Sequence, residues 1–466
     1  MPSLFNLPTC TLTAILALTA CTGANVPDVT YSEPAPLDAQ ANGVWYSSEK
    51  DWVLEIKDGA VTRWEYSPEY CYRTPEANEA TPMMGQVEYR LYRAASDGHA
   101  IRLQYLPGDA SAYFERMDAL PAHCGSEDLT SETVLFDIFT NTMAEHYGFF
   151  EPRGVDWYAS VEAARPRVSD GMGEAALWQV FSDLLIPLGD SHTKMIGMVD
   201  GERARIQGGM GTTLPMVQAG MGEGAWVMGL VNQLEADVLD EGMELIADRV
   251  VVGEIDERVG YIQIFTMGGF SSGEVPGTIE WSQAELSALA DIMDDTLTRF
   301  ADHEAIIFDL SNNRGGYDAV TRALAARFTE APFMGYRVTV EGEPEATTEY
   351  PIEPYDGPRF TGSVYLMTSD VTVSGGEITT MMMKQLPNVT HVGTTTRGAF
   401  STPLAKPLPN GWYLELANET FQTAEGVVYE GRGIPPDVEI NIYPEDAQIE
   451  GHADAIAQIM EMIDAG

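Results

Sequence analysis

The sequence predicts a multidomain protein of the α/β class, with a small β-rich region first, a helical region next and an α/β core last. Three observations predict this order. Short alternating segments separated by turn residues fill residues 42–126, helical spacing dominates residues 127–200, and strands alternate with helices over residues 257–466. A chain of 466 residues is also too long for one ordinary core. Residues 201–256 are expected to be a connecting segment.

The β-rich region contains five candidate strands with Asp-Gly turns at 58–59 and 97–98, which favours a small barrel or sandwich. The candidates are Val44–Tyr46, Trp52–Ile56, Ala60–Tyr66, Val87–Tyr92 and Ile101–Tyr105.

The helical region begins at an N-cap signal, Leu129–Glu132, and ends at a polar turn, Pro187–His192. Its predicted helices are Val134–Tyr147, Trp157–Ala164 and Gly173–Leu185. The connecting segment is rich in glycine and methionine, with strand candidates at Leu214–Val217 and Ala225–Met228. The core is predicted to contain the strands Tyr261–Ile264, Ala305–Leu310 and Ser363–Thr368 and the helices Ser282–Phe300, Asp318–Phe328 and Ile378–Leu386.

The N-terminal segment has the pattern of an export signal. Leu12–Ala20 is apolar but too short to span a bilayer, and Leu18-Thr19-Ala20-Cys21 resembles a bacterial lipobox, although no Lys or Arg precedes the apolar run. We therefore expect a signal peptide at 1–20, a lipidated Cys21 and a tether at 21–41. The protein would be exported as a periplasmic or outer-membrane-anchored bacterial lipoprotein that contacts the membrane only through its lipid. Cys10 would leave with the signal, so Cys71 and Cys124 could form one disulfide.

The charge balance excludes one class of partner. Acidic residues outnumber basic ones 71 to 26, which gives a formal net charge of −45. Nucleic-acid binding requires basic surface to neutralise phosphates, so we expect no nucleic-acid partner. We expect neither a cofactor nor a metal ion.

Ser374 lies between the buried strand Ser363–Thr368 and a predicted helix. A helix N-terminus offers free N–H groups and the positive end of its dipole, and Gly375 lets a substrate approach the backbone. Both features suit a nucleophilic hydroxyl. The alternative is a capping box, in which Ser374 and Glu377 only start the helix.

A serine nucleophile needs a base, a group that orients the base, and donors for the oxyanion. Of the seven histidines, His192 is distinguished by the polar turn Gly189-Asp190-Ser191 before it. A structural histidine is the alternative reading. A second loop, Asp309–Gly316, joins a buried strand to a helix, and its two glycines can present N–H groups to an anion. A tight structural turn is the alternative there.

Four segments occur in an order that resembles peptidase family S41, which includes the tail-specific proteases, the tricorn core protease and the interphotoreceptor retinoid-binding protein repeats. They are Gly189–His192, Asp309–Gly316, Thr372–Glu377 and Glu430–Asp437. The resemblance covers about residues 130–465, and the segment from Val44 to Cys71 resembles the front domain of some members. It implies a ClpP/crotonase-like catalytic core and a serine peptidase that acts on peptides or unfolded proteins.

The family has two catalytic plans. The Ser–Lys dyad places a lysine directly after a glycine, but here Gly398 is followed by Ala399. None of the five lysines matches that motif, and Lys384 lies ten residues along the helix from Ser374, about 15 Å away by helical rise. The resemblance therefore implies the other plan, a Ser-His-Ser-Glu tetrad.

The tetrad assigns a role to each matching position. Ser374 is the nucleophile, His192 the general base, Ser191 and Glu430 the groups that orient the imidazole, and Gly375 with Gly315 or Gly316 the oxyanion donors. Asp190 is an alternative orienting carboxylate, and Glu377 is expected to be a helix cap.

The stretch from Thr193 to Gly260 is short for a PDZ module, so we expect none and infer no selection of substrates by their C-termini.

Two further functions remain open. Because retinoid-binding relatives use the same fold, a non-catalytic protein that binds a lipid, another small ligand or a peptide is the main alternative. An esterase with the same nucleophile is the third reading.

Overall fold

The computed structural model describes residues 30–82, 84, 89–126, 128–341 and 343–465. The proposed signal peptide and Cys21 lie outside the described residues, and so do 87 and 88 of the candidate strand Val87–Tyr92. Within the described residues, helices combine with four separate sheets. The predicted α/β multidomain class is confirmed.

The N-terminal sheet is antiparallel throughout, in the order β1-β6-β7-β8-β2-β3-β4-β5. A disulfide joins Cys71 in its last strand to Cys124, with their Cα atoms 4.4 Å apart. The strands are β1 (Ala35–Pro36), β2 (Gly43–Ser47), β3 (Trp52–Lys57), β4 (Ala60–Tyr66), β5 (Cys71–Arg73), β6 (Leu91–Ala94), β7 (Ala100–Gln104) and β8 (Ser111–Met117).

Three helices follow and pack on this sheet: α1 (Glu132–His146), α2 (Trp157–Ala164) and α3 (Glu174–Leu185). They begin and end close to the predicted positions. Phe139 of α1 and Phe181 of α3 stack with ring centroids 4.2 Å apart. Their apolar residues share one buried cluster with the N-terminal sheet, so the β-rich and helical regions form one packed unit.

A four-stranded sheet then joins the helical region to the core. Strands β9 (Lys194–Val199) and β10 (Glu202–Gln207) form a hairpin, and β9 also pairs with β20 (Tyr413–Ala417), which pairs with β19 (Pro403–Pro407). The predicted boundary at residue 200 therefore falls inside this hairpin. Because β9 starts two residues after His192, pairing across the sheet places that histidine beside the core.

The connecting segment is helical where strands were expected, so the strand candidates Leu214–Val217 and Ala225–Met228 are wrong. They lie in α4 (Thr213–Ala219) and α5 (Glu223–Gln233). Trp226, Leu230 and Val231 are buried at helical spacing, and they belong to an apolar cluster that covers one face of the core sheet. Short apolar runs do not distinguish a strand from a buried helix, and tertiary packing decides between them.

The core contains a seven-stranded sheet in the order β11-β12-β13-β14-β17-β18-β22, parallel from β13 to β22. Separate apolar clusters cover its two faces, as expected for parallel strands. Its elements are β11 (Glu244–Ile246), β12 (Val250–Asp256), β13 (Val259–Ile264), α6 (Ile279–Arg299), β14 (Ala305–Asp309), α7 (Asp318–Ala325), β17 (Ser363–Thr368), α8 (Gly375–Met383), β18 (Val389–Gly393), β22 (Val438–Glu439) and α9 (Glu450–Ala465).

A small sheet completes the core: β15 (Phe333–Val340) pairs with both β16 (Glu343–Ile352) and β21 (Glu419–Gln422). None of the helices in the described part of the chain is long and apolar enough to cross a membrane.

Candidate active site

Ser374 occupies the turn between β17 and α8, at the position immediately before the helix. Its backbone has φ 58° and ψ −122°, a conformation that glycine adopts readily and residues with a Cβ rarely do. The side chain is partly exposed. A strained backbone that presents a hydroxyl at the carboxyl end of a parallel sheet is typical of a functional position.

The capping-box interpretation of Ser374 and Glu377 is wrong. The Ser374 hydroxyl makes no capping hydrogen bond to the helix. The Glu377 carboxylate is fully buried and accepts hydrogen bonds from Thr396 Oγ1 at 2.6 Å and from the N–H groups of Gly398 at 2.6 Å and Ala399 at 2.8 Å. Glu377 therefore holds the loop after β18 instead of capping α8.

That loop in turn holds the nucleophile. The Ser374 N–H donates to the Ala399 carbonyl at 3.0 Å, so Ala399, at the dyad's lysine position, supports Ser374 through its backbone. Lys384 bonds to Asp437 Oδ1 at 2.5 Å and to the Pro435 carbonyl.

Two other lysines also have partners outside this turn. Lys194 pairs with Glu415, and Lys406 bonds to the Lys50 carbonyl at 2.7 Å. Among the residues that the structure describes, no lysine forms a hydrogen bond with Ser374.

The glycine loop lies directly against Ser374. A Cβ placed on Gly315, which has φ +75°, would be 2.6 Å from the Ser374 Cβ. A Cβ placed on Gly375 would be 3.2 Å from the Gly316 nitrogen. A side chain at 315 would clash with Ser374, and one at 375 would crowd the Gly316 backbone, so glycine at these positions permits the close approach.

The amide groups distinguish the two oxyanion candidates in this loop. The Gly315 N–H already donates to Asn313 Oδ1 at 2.8 Å. Within the described ranges, the N–H groups of Gly316 and Gly375 form no hydrogen bond. Two adjacent unpaired donors beside a hydroxyl can bind an oxyanion, so the geometry favours Gly316 over Gly315 as the second donor.

Asp190 holds the backbone of the loop that carries His192. It is 1% exposed, and its Oδ1 accepts the His192 N–H at 2.8 Å. Its Oδ2 accepts the hydroxyls of Thr193 at 2.8 Å and Tyr147 at 3.1 Å. Asp190 therefore sets the course of this loop, and its hydrogen bonds go to groups other than the imidazole.

The His192 imidazole is partly exposed, and burial of the ring lowers its pKa, while the Asp190 charge and the Ser401 backbone oppose that shift. Its Nδ1 and the neighbouring Ser191 Oγ are both buried without a hydrogen-bond partner in the described part of the chain. The lowered pKa keeps the ring neutral at neutral pH, which is the state a general base requires.

No hydrogen bond joins Ser374 to His192 in the ranges described, but one segment contacts both. Ser374 bonds to Ala399, and the imidazole interacts with the backbone of Ser401, two residues further along. Two residues of chain span at most about 7 Å. The predicted nucleophile and base therefore both contact the segment 399–401, although they are 182 positions apart in the chain (374 − 192).

Glu430 holds that segment. It is 3% exposed, and its Oε2 accepts the N–H groups of Phe400 at 2.8 Å and Ser401 at 3.1 Å. Its Oε1 accepts Arg153 Nη2 at 3.0 Å. Burial first, then the nearby Asp190 charge, raises the pKa of Glu430 to about 8. The structure thus brings Glu430 to the site, where it bonds to the backbone beside the imidazole.

Arg153 is the residue that sequence reasoning missed. It lies in the turn between α1 and α2, its side chain is 6% exposed, and it reaches both Asp190 and Glu430. A lone arginine after Phe149-Phe150-Glu151-Pro152 belongs to no catalytic motif. The available signal was a basic residue that follows two phenylalanines in a strongly acidic chain.

A buried histidine–carboxylate pair lies at the end of β14. His452 Nε2 is 2.7 Å from Asp309 Oδ2, which also accepts hydrogen bonds from Tyr261 and Gln263. This pair attaches α9 to the end of β14. Asp309 therefore has a structural role in the second motif, whose glycines are the part that reaches the site.

The chain was compared with known proteins. A model of peptidase family S41 matches residues 258–440, a range that includes Ser374, the glycine loop and Glu430 but not His192. No curated protein matches the chain significantly.

Solved structures share the fold. A candidate peptidase from Parabacteroides merdae has a TM-score of 0.58 and 21% identity, over 72% of this chain and 97% of that chain. Mature CPAF has a TM-score of 0.52 and 12% identity, over 72% and 98%. Mature CPAF complexed with lactacystin has a TM-score of 0.51 and 12% identity, over 72% and 99%. Residues 258–440 of this chain are therefore similar to a peptidase family S41 domain, and the solved structures share the fold.

Proposed function

We propose that the protein is a serine peptidase that hydrolyses peptide bonds through an acyl-enzyme on Ser374. The observation that carries the proposal is the strained turn at Ser374 beside two unpaired N–H donors, those of Gly316 and Gly375. A tetrahedral intermediate formed on the serine would place its oxyanion between these donors. Each such donor is worth about 2.7–4 kcal/mol of transition-state stabilisation.

His192 is the general base in this mechanism. It takes the proton from Ser374 Oγ as the hydroxyl attacks the carbonyl, then gives it to the leaving amine. Water enters next and loses a proton to the same ring as its oxygen attacks the acyl carbonyl; the bond to Ser374 Oγ then breaks, Oγ takes the proton back from the ring, and the acid is released. Because burial lowers the pKa of His192, the ring is neutral above its usual pKa near 6.5. Activity should fall only as the pH drops below that value.

Ser191 and Glu430 are proposed to orient the base. Ser191 Oγ and His192 Nδ1 are both buried and unpaired, so a hydrogen bond between them would satisfy two polar atoms at once. Glu430 acts through Ser401, because it binds the N–H of the residue whose backbone interacts with the ring. Together these contacts would select one tautomer and one ring orientation.

The test is hydrolysis of a quenched fluorescent peptide library by Ser374→Ala and His192→Ala. We expect each variant to lose at least about 10⁴-fold in kcat/KM, with thermal unfolding close to that of the parent. His99→Ala, at an exposed histidine in the turn between β6 and β7, is the matched control and should retain full activity. Full activity in either site variant would refute the assignment.

A fluorophosphonate probe separates a peptidase from a non-catalytic binding protein on the same fold. Labelling confined to Ser374 indicates an activated nucleophile, whereas no labelling at any pH from 5 to 9 favours a protein that only binds a lipid, a small ligand or a peptide. Paired ester and amide substrates with the same acyl group then distinguish an esterase from a peptidase.

We also propose that the protein is exported and lipidated at Cys21. The apolar run before Cys21 and the disulfide between Cys71 and Cys124 support this, because disulfides persist in oxidising compartments. Labelling of expressing bacteria with an alkyne fatty acid should mark the parent and not Cys21→Ser. Equal labelling of both would refute lipidation at this residue.

A further inference from the structure

The Arg153 guanidinium contacts three separate loops. Nη1 donates to the Gly189 carbonyl at 2.7 Å, and Nη2 donates to the Gly398 carbonyl and to Glu430 Oε1, each at 3.0 Å. Asp190 Oδ1 lies 3.5 Å from Nη2. A planar fork with several donors can make such contacts simultaneously, whereas a lysine ammonium acts as a single point charge.

Each of these loops carries one part of the proposed catalytic group. Asp190 positions the backbone of His192, and Gly398 precedes Ala399, which accepts the Ser374 N–H. Glu430 holds Phe400 and Ser401. The guanidinium thus connects the loop of the base with the two loops that support the nucleophile.

The charges show why a cation is required at this point. Asp190 and Glu430 are 1% and 3% exposed, and the Asp190 charge helps to raise the pKa of Glu430 to about 8. The Arg153 charge acts in the opposite direction on Glu430. Without the Arg153 charge, the pKa of Glu430 would rise further, so Glu430 would keep its proton to a higher pH or the loops would separate.

We propose that Arg153 is a positioning residue, which aligns His192 with Ser374 by holding the Gly189–Asp190 loop against Gly398 and Glu430. This inference rests on the proposed peptidase function, but its structural part can be measured without activity. Arg153 touches neither the substrate nor the reacting atoms in this scheme. Its effect on the rate comes from the alignment of the base.

The first test compares Arg153→Lys with the parent in peptide hydrolysis. We expect kcat to fall about 10- to 100-fold, as for other residues that only position catalytic groups, with KM changed less than twofold. The pH profile should also change, because the Arg153 charge lowers the pKa of Glu430, and a weaker contact at Nη2 would let Glu430 keep its proton to a higher pH. Arg165→Ala is the matched control, since Arg165 pairs with Asp137 at the surface of the same helical region. Unchanged kcat and pH profile in Arg153→Lys would overturn the proposal.

A second variant guards against simple destabilisation. Arg153→Met combined with Glu430→Gln removes both the cation and the ionisable carboxyl group, so the thermal midpoint should recover relative to Arg153→Met alone while kcat stays low. Recovery of both quantities would mean that Arg153 only neutralises Glu430, and the positioning role would be refuted.

Hydrogen exchange provides a measurement that is independent of catalysis. In Arg153→Lys, amides of residues 189–193 and 398–401 should exchange faster than in the parent and in Arg165→Ala, with the rest of the core unchanged. Unchanged exchange in both segments would refute the inference even in an active enzyme. If the parent neither hydrolyses peptides nor labels at Ser374, the peptidase proposal fails, and faster exchange would still establish the contact.

Discussion

The strain at Ser374 predicts that one substitution both inactivates and stabilises the protein. Ser374 adopts φ 58° and ψ −122° and makes no capping hydrogen bond, so its side chain contributes little to stability there. A non-glycine residue in such a region costs about 1–3 kcal/mol, and a glycine costs about 0.4–1 kcal/mol through the entropy of the unfolded chain. Ser374→Gly should therefore stabilise the protein by about 1 kcal/mol.

Ser374→Ala is the matched control because it removes the hydroxyl but keeps the strained Cβ. It should remain within about 0.5 kcal/mol of the parent. Thermal unfolding of all three proteins, followed under identical scan conditions, measures the difference. For a cooperative unit of 150–250 residues, about 1 kcal/mol corresponds to about 2–4 °C.

Both variants should lack peptide hydrolysis, so the difference between their thermal midpoints measures stability independently of activity. If Ser374→Gly unfolds at or below the midpoint of Ser374→Ala, the backbone at this turn stores no strain. That result would remove the main geometric argument for a nucleophile at Ser374. A midpoint higher by the predicted amount would mean that the fold gives up stability to present this hydroxyl.

Two further predictions concern buried ionisable groups. Glu377→Gln should destabilise the protein by about 1–3 kcal/mol and slow fluorophosphonate labelling, because the amide N–H of the new side chain would face the Ala399 N–H. The control is Glu450→Gln, at an exposed position at the start of α9, which should change neither quantity. Equal effects of the two substitutions in the unfolding and labelling assays would contradict this role of Glu377. Burial lowers the pKa of His391 to about 3, so protonation of the unfolded chain should reduce stability as pH falls from about 6.5, by up to about 5 kcal/mol near pH 3. Urea unfolding at several pH values should show a weaker acid dependence in His391→Gln than in exposed His99→Gln, and parallel curves would refute the assignment.

Local pattern predicted the regular elements well where periodicity was strong. Ser363–Thr368 and Trp157–Ala164 were predicted with the bounds that the structure shows. The helices α4 and α5 were missed because the sequence of each contains only a short apolar run before a glycine. Their burial against α9 and the central sheet is a long-range contact that a local window does not contain.

The Glu377 prediction was wrong for a related reason. Ser-x-x-Glu satisfies the local rule for a helix start, and that rule considers only groups within one turn. In the folded chain, three donors from residues 396–399 form hydrogen bonds with the same carboxylate. Buried N–H groups need acceptors, so the long-range hydrogen bonds to Glu377 form instead of the local capping hydrogen bond.

The sequence by itself determined the α/β class, the serine at a strand-to-helix turn, the glycines beside it and the improbability of a lysine base. These follow from local geometry and from which residue types are present. Only the tertiary structure decided that Gly316 has the free amide, that Glu430 binds the backbone at 400–401 and that Arg153 joins the loops. Each of these depends on which buried polar groups meet across the fold. Hydrogen bonds between residues far apart in the chain produce no periodic pattern in the sequence.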